Sequence, residues 1–245
     1  MLFAVDPDSI NKKATLITGF TGFGNVGYIV MNHLAESLPL KSISFWGSSS
    51  WMHRGRLEAP ITIYTNNEES LYFLVPRIPL PVTAAPHQFW DMMMAQIIDW
   101  GLERYVFIGG LREVTRRPGD HKWAAYVTTP EYETEYKIHT TIGEDLAMIG
   151  PLSSILTHGT SKKQKVIALL MYCSEEEDEF ASETAILELN KLLDVQFPGA
   201  PLKHFDNSFV PMMRFVSEDG VERVYDDNED DDLPDDFGYN IDELR

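Results

Sequence analysis

The sequence contains little cysteine, little basic charge and no long apolar segment. Its single cysteine, Cys173, excludes a disulfide within the chain and a metal site built from several cysteines, and it favours a reducing compartment. No stretch approaches the roughly 18 uninterrupted apolar residues that a membrane-spanning helix needs, and the first residues lack the basic region and apolar core of a signal peptide. We therefore expect a cytoplasmic protein that does not bind a membrane.

Basic side chains are outnumbered by acidic ones, with 20 lysines and arginines against 38 aspartates and glutamates and a net charge of −18. Ten of these carboxylates, and one arginine, lie in Asp226–Arg245. Nucleic-acid binding depends on contacts of lysine and arginine with phosphates, so we do not expect a nucleic-acid partner. The dense charge also predicts that residues 226–245 form a disordered tail.

The tail has a few apolar residues, and they cluster at its end. A tail that only kept the protein in solution would not need them. We therefore predict that residues 237–244 dock as a short segment on a neighbouring subunit or on a partner protein; the alternative is a purely solubilising tail. The apolar residues are Phe237, Tyr239, Ile241 and Leu244.

Segments with strand and helix patterns alternate along most of the chain. This alternation predicts an α/β fold with three layers, in which helices cover both faces of a largely parallel or mixed sheet. No linker divides the chain, so we expect one domain over residues 1–225 that ends in a hairpin at Met212–Tyr225. Strands are predicted at Lys13–Gly19, Ser42–Phe45, Ile61–Thr65, Leu71–Pro76, Arg104–Gly109, Trp123–Thr128, Tyr136–Thr140 and Val166–Tyr172, and helices at Val26–Leu38, Phe89–Trp100, Pro151–Leu156 and Ala181–Val195. Ser174 and Glu177 fit a capping box before the last helix.

A glycine-rich loop follows the first predicted strand. Gly22, Gly24 and Gly27 match G-x-G-x-x-G, the pattern with which a strand–helix turn binds a dinucleotide pyrophosphate. Such a site also needs an acidic residue after the second strand, and residues 43–49 contain none. We therefore favour a structural turn. The alternative is a nucleotide- or phosphate-binding enzyme in which Arg112, Arg116 or Arg117 holds the phosphate.

The helix Phe89–Trp100 has a wide apolar face. Large exposed patches of aromatic and methionine side chains mark contact surfaces, so this face is a candidate protein interface. A fully buried core helix is the equally open alternative. The candidate interface residues are Phe89, Trp90, Met93, Met94 and Ile97.

The remaining residues suggest no catalytic or metal site. The seven histidines are scattered without a His-x-x-x-His pair. The acidic run 175–179 is typical of the first turn of a helix, although it could also collect a hard cation. Cys173 has no basic neighbour in the sequence, so we expect it to be buried and inert. We predict no catalytic residue, cofactor or metal ligand.

Several of these segments together resemble the proteasome assembly chaperone 2 family, over residues 13–202. The resemblance begins at the glycine signature and continues through the following strands and turns in the same order. It rests on Gly19–Gly27, Ala85-Pro86, Tyr105–Gly110, Met148–Leu152, and Val166–Tyr172 followed by Asp178 and the last helix.

The resemblance implies a three-layer α/β/α fold like that of purine nucleoside phosphorylases, without their catalytic residues. It implies homo-oligomers for prokaryotic members, whereas eukaryotic members act as a heterodimer that organises proteasome α-subunits. Some members insert a C-terminal tail with a penultimate tyrosine into pockets of the α-ring. This sequence ends differently, because Tyr239 lies well before the last residue, Arg245.

The sequence therefore favours a non-catalytic, homo-oligomeric chaperone or scaffold that binds proteins. Its expected partners are further copies of itself, and proteasome α-subunits or another protein. The alternative is the enzyme that uses the loop Gly22–Gly27.

Overall fold

The computed structural model describes residues 5–46, 51–53, 56–78, 87–116, 123–142, 147–174, 177–199, 214–216 and 222–224. The chain divides into two compact units, Met1–Phe205 and Asp206–Arg245. The first unit contains every described helix and the main sheet.

A seven-stranded mixed sheet forms the centre of the first unit. Its strands are β1 (Thr15–Gly19), β2 (Lys41–Trp46), β5 (Ile61–Thr65), β6 (Leu71–Pro76), β7 (Arg104–Arg112), β8 (Ala124–Thr128) and β9 (Val166–Cys173). They are arranged in the order β2-β5-β6-β1-β7-β9-β8. The four central strands, β6, β1, β7 and β9, are parallel, whereas β2, β5 and β8 pair antiparallel to their neighbours. A small separate sheet pairs β3 (Trp51–His53) with β4 (Arg56–Glu58).

Helices cover both faces of this sheet. They are α1 (Val26–Ser37), α2 (His87–Ile98), α3 (Pro130–Tyr136), α4 (Gly150–Ser161) and α5 (Glu179–Leu193). Helices α1 and α5 pack on each other and on one face, in a core cluster that includes Ile17, Ile108 and Leu169. Helices α2 and α4 pack on each other, and Trp90 of α2 reaches the opposite face through Phe20 and Phe107. Because both faces are covered, β1 is buried along its whole length.

The α/β fold predicted from the sequence is confirmed. The hairpin predicted at Ile61–Thr65 and Leu71–Pro76 has those bounds as β5 and β6. Asn66 stabilises its turn, because its side-chain oxygen accepts hydrogen bonds from the backbone nitrogens of Ser70 and Leu71 at 2.9 and 3.0 Å.

Two local predictions were wrong. The strand predicted at Tyr136–Thr140 is absent: Tyr136 ends α3, and Lys137 takes a left-handed conformation with φ of 58°. The β-forming residues that follow run beside the edge strand β8, where the hydroxyls of Thr140 and Thr141 accept hydrogen bonds from the backbone nitrogens of Thr128 and Tyr126 at 3.0 and 2.9 Å. These side chains occupy the backbone donors of an edge strand that would otherwise be open to pairing.

The second wrong prediction is the capping box of Ser174 and Glu177. Helix α5 begins at Glu179, and its N-cap is Asp178, whose carboxylate accepts a hydrogen bond from the Ala181 nitrogen at 2.8 Å. Aspartate is one of the preferred N-cap residues. Ser174 lies before the helix and donates its own backbone N–H to the Asp178 carboxylate.

In the second unit, β10 (Arg214–Val216) pairs antiparallel with β11 (Glu222–Val224), and Phe215 is opposite Arg223. This is the pairing expected of a hairpin at Met212–Tyr225. The turn proposed for that hairpin and the tail 226–245 lie outside the described residues, so the predicted domain boundaries stay a prediction.

Candidate functional site

The carboxyl ends of the parallel strands meet at one edge of the sheet. The glycine-rich loop follows β1 there, Arg112 ends β7, and Cys173 ends β9 opposite Arg112 in the strand register. The antiparallel strand β8 begins at the same edge, where the Trp123 carbonyl accepts a hydrogen bond from the Tyr172 nitrogen at 3.0 Å. In open α/β sheets this edge is where ligands bind.

The glycines of the loop allow close contact between backbones. A Cβ atom on Gly27 would lie 2.4 Å from the Ile108 carbonyl oxygen, so only glycine lets α1 approach β7 this closely. Gly24 has a left-handed φ of 64°, and a Cβ there would lie 2.6 Å from the Cys173 sulfur. Gly110 of β7 meets the loop from the other side, since its Cβ would lie 1.9 Å from the Phe23 carbonyl oxygen. The loop is therefore pressed against the ends of β7 and β9.

Asp178 ties this loop to the start of α5. Its backbone nitrogen donates to the Gly24 carbonyl at 3.0 Å, and its side chain accepts from the backbone nitrogens of Ser174 and Ala181 at 3.0 and 2.8 Å. Its carbonyl accepts from the Ser182 hydroxyl at 2.8 Å. Of the acidic run, Asp178 is the helix cap and Glu179 lies in the first turn of α5, whereas the sequence interpretation had placed the run in the first turn. Among the described residues, no three His, Cys, Asp or Glu side chains are grouped to hold a metal ion.

The structure brings Arg112 to the glycine loop, as the nucleotide-binding alternative requires. Its guanidinium carbon lies 5.4 Å from the centre of the Phe23 ring. Arg116 instead pairs with Glu113 at 3.4 Å, and Arg117 lies outside the described residues.

The topology nevertheless differs from that of a dinucleotide fold. There, the strand after the first helix lies parallel and beside the first strand. Here the chain leaves α1 for β2, which lies at the far edge of the sheet and pairs antiparallel with β5. Protein contacts also account for Gly24 and Gly27 without a ligand. These observations favour the structural role of the loop.

Large apolar side chains are exposed around this edge. Phe23 is 53% exposed, Val114 87%, Trp123 40% and Phe180 57%. The Trp123 and Phe180 rings meet edge to face with centres 5.0 Å apart, and Arg112 covers Phe23. We call Phe23, Arg112, Val114, Trp123 and Phe180 the carboxyl-edge face. Large exposed apolar side chains gathered at one edge of a sheet are typical of contact surfaces.

Sequence reasoning did not identify this face, apart from Arg112. Its members come from four separate segments, and none belongs to a periodic pattern. The available signal was positional: Phe23, Arg112 and Val114 lie in loops that follow predicted strands, Trp123 begins one, and Phe180 precedes the predicted last helix. Parallel strands bring such positions together.

Cys173 lies beneath the face and is buried. Burial, with a smaller contribution from the nearby Asp178 carboxylate, raises the pKa of its thiol to about 12. The thiolate is the reactive form of cysteine, so a thiol with this pKa is a poor nucleophile.

The structure places most of the predicted aromatic interface in the core. Trp90, Met93, Met94 and Ile97 are fully buried within the chain, so they cannot form a contact surface in this fold. The core-helix alternative therefore applies to these four residues. Phe89 is half-buried, and its ring lies 4.5 Å from that of Trp46. The tail residues Phe237, Tyr239 and Leu244 lie outside the described residues.

Within the described part of the chain, no helix combines the length and apolar character that crossing a membrane demands.

Comparison with known proteins identifies a family. A sequence model of the PAC2 family matches residues 16–205. No curated protein sequence matches the chain.

Solved structures share the fold. PbaA of Pyrococcus furiosus, an archaeal homolog of proteasome-assembly chaperone, has a TM-score of 0.66 at 20% identity, over 82% of this chain and 88% of its own. PbaB of the same organism, an archaeal proteasome activator, has a TM-score of 0.60 at 18% identity, over 78% and 87%. A Thermoplasma acidophilum protein of unknown function has a TM-score of 0.63 at 18% identity, over 79% and 81%.

Proposed function

Because the chain belongs to the PAC2 family, we propose that it is a non-catalytic, chaperone-like protein that binds other proteins and assembles with copies of itself. The family match over residues 16–205 is the observation that carries this proposal. The description of PbaA as a homolog of a proteasome-assembly chaperone, and of PbaB as a proteasome activator, supports proteasome subunits as the first partners to test.

The chemistry of the carboxyl edge supports binding rather than catalysis. The Cys173 thiol has a raised pKa, and both carboxylate oxygens of Asp178 accept backbone hydrogen bonds. Four large apolar side chains reach the solvent there, and such groups supply contact area.

We assign self-association to the surface formed by α2 and β2. Phe89 and Met92 lie one turn apart on α2, and Met92 is 57% exposed. Trp46, the last residue of the edge strand β2, contacts Phe89. Of the helix residues predicted as an interface from the sequence, this surface, which we call the α2–β2 surface, retains Phe89.

A charge placed at Met92 tests this assignment. We expect the wild type to sediment as an oligomer and Met92→Glu as a folded monomer, because a buried unpaired carboxylate costs several kcal/mol at an interface. His87→Glu is the matched control, since it places a carboxylate at another exposed position of the same helix, roughly 140° around the helix axis from Met92. Analytical ultracentrifugation gives the masses. A monomeric wild type, or equal masses for both variants, would contradict the proposal.

Partner binding is tested with purified proteasome α-subunits from the same organism. Chemical cross-linking with mass spectrometry should yield cross-links between the chain and an α-subunit. A variant truncated after Tyr225 tests whether the tail docks. If residues 237–244 dock, truncation reduces the oligomer size or the capture of α-subunits. Unchanged size and capture would leave the tail a solubilising segment.

The nucleotide-binding alternative has its own test. Millimolar NAD, ATP or a purine nucleoside should leave the melting temperature unchanged, although a ligand at 100 times its Kd adds about 2.7 kcal/mol. A saturable rise in melting temperature, absent in a stably folded Arg112→Ala variant, would instead support an enzyme.

A further inference from the structure

We propose that the carboxyl-edge face binds a partner segment that combines apolar anchors with lysine or arginine. This inference rests on the proposed function, because it gives the chemistry of the partner of a protein-binding surface. It follows from three properties of the face: its exposed rings, the charges at its border, and the rigidity of the backbone beneath it.

The rings provide a platform for apolar anchors. Trp123 and Phe180 meet edge to face, and each keeps a large exposed fraction, 40% and 57%. An anchor inserted beside them would remove apolar area from water at the place where aromatic side chains contribute most to binding. Aromatic faces also attract cations, so a lysine or arginine next to the anchor gains a second contact.

The border of the face is acidic on the α5 side. Glu177 and Glu179 are exposed there, at the start of α5. Arg116 pairs with Glu113, which reduces the basic contribution from the β7 side. The described residues that border the face, 112–116 and 177–179, include two basic side chains, Arg112 and Arg116, and four acidic ones, Glu113, Glu177, Asp178 and Glu179.

The acidic border determines which segment can bind this face: the chain's own tail, a second copy, or another protein. The chain's own tail carries ten carboxylates and one arginine, so it would be repelled at the α5 side. A second copy that placed the same face here would bring the same acidic border, with Glu177 and Glu179. A basic, apolar segment of another protein is the occupant that satisfies both the rings and the carboxylates, since complementary charge favours the correct partner and speeds its association.

The backbone beneath the rings is fixed before any partner binds. Phe23 is held through its carbonyl against Gly110, and Phe180 is two residues from the Asp178 cap. A preorganised surface loses less conformational entropy on binding, which favours affinity.

Two labelled peptides test the proposal with the full-length protein. Both contain the same leucine, phenylalanine and tryptophan residues; the basic peptide has lysine and arginine between them, and the acidic peptide has glutamate. Fluorescence anisotropy should show binding of the basic peptide, and weaker binding as salt increases. Failure of the basic peptide to bind, or equal binding of the acidic one, overturns the proposal.

Matched variants locate the binding. Phe180→Ser should weaken binding about tenfold or more, as expected for a central aromatic anchor. Leu187→Ser is the control: Leu187 is 56% exposed on the same helix, roughly 10 Å further along it. Val114→Ser, on a different segment of the face, should also weaken binding of the basic peptide. Equal effects of Phe180→Ser and Leu187→Ser would overturn the assignment to this face.

Two charge-reversal variants distinguish attraction by the acidic border from attraction by the net charge of the whole chain. Glu177→Lys should weaken binding of the basic peptide, whereas Glu68→Lys, in the β5–β6 turn at the opposite end of the sheet, should leave it unchanged. Equal effects would show non-specific attraction and overturn the proposal. The Met92→Glu and cross-linking results do not depend on this face, so the proposed function can survive its failure.

Discussion

Replacing Gly27 by alanine tests whether the glycine loop exists for packing. The new Cβ would lie 2.4 Å from the Ile108 carbonyl oxygen and 2.8 Å from both the nitrogen and the oxygen of Phe20. Ordinary contact begins at 3.4 Å, so α1 must move by about 1 Å away from β7. The contacting atoms are all backbone atoms, which cannot rotate away as a side chain would.

The cost can be estimated from two opposing effects. Inserting a methyl group into a packed site costs up to about 3 kcal/mol. Alanine is a better helix former than glycine by about 1 kcal/mol, which acts in the opposite direction. The net loss of unfolding free energy is therefore about 2 kcal/mol, which corresponds to a fall in Tm of about 4–8 °C for a domain of this size.

Gly22→Ala is the matched control within the same loop. Gly22 has an extended φ of 173°, and a Cβ there would meet no atom within 4 Å. Its unfolding free energy should change by less than about 0.5 kcal/mol. Urea denaturation followed by circular dichroism measures both variants. If Gly27→Ala is as stable as Gly22→Ala, the packing explanation of the glycine signature is wrong.

Further predictions concern stability and reactivity. Asp178→Ala should lower the unfolding free energy by about 1–2 kcal/mol, because it removes the α5 cap, and Asp178→Asn should restore part of it. Cys173 should resist iodoacetamide near pH 8 in the folded protein and react after unfolding in urea; rapid labelling of the folded protein would contradict its burial. Burial raises the pKa of both Tyr132 and Cys173 to about 12. The folded state therefore favours their neutral forms, so the unfolding free energy should fall as the pH rises from about 9 towards 12. The fall should be less steep in Cys173→Ala, which lacks one of the two groups. Trp90→Glu should be insoluble although Met92→Glu folds, because Trp90 is fully buried.

Sequence reasoning was sufficient for the elements that a periodic pattern defines. Strands β5 and β6 have the predicted bounds, and β9 differs from its prediction by one residue, Cys173. Strands β6 and β9 carry continuous apolar runs because they lie within the covered sheet, whereas β5, next to the edge strand, alternates isoleucine with threonine and tyrosine. Tyr136–Thr140 has strand-forming residues as well, but there they serve to cover the edge of β8 through hydroxyl groups.

The candidate site was harder to predict, because it depends on which segments meet. The apolar pattern of α2 could not show which side faces the sheet, so buried residues such as Trp90 and Met94 were taken for a possible interface. Phe23, Trp123 and Phe180 are single aromatic residues in unrelated segments. Only the strand order, which sequence periodicity does not determine, places them at one edge.

At the carboxyl edge, the residues that hold the backbone differ from the residues whose side chains are exposed, so the two sets can change independently in evolution. The backbone at the carboxyl edge is held by Gly24, Gly27, Gly110 and the Asp178 cap, and none of these holds the ring of Phe180 or the side chain of Val114. Substitutions at the exposed positions therefore cost little folding stability. On the proposed function, single substitutions at this edge can change the partner, while the glycines and the cap remain under constraint from folding.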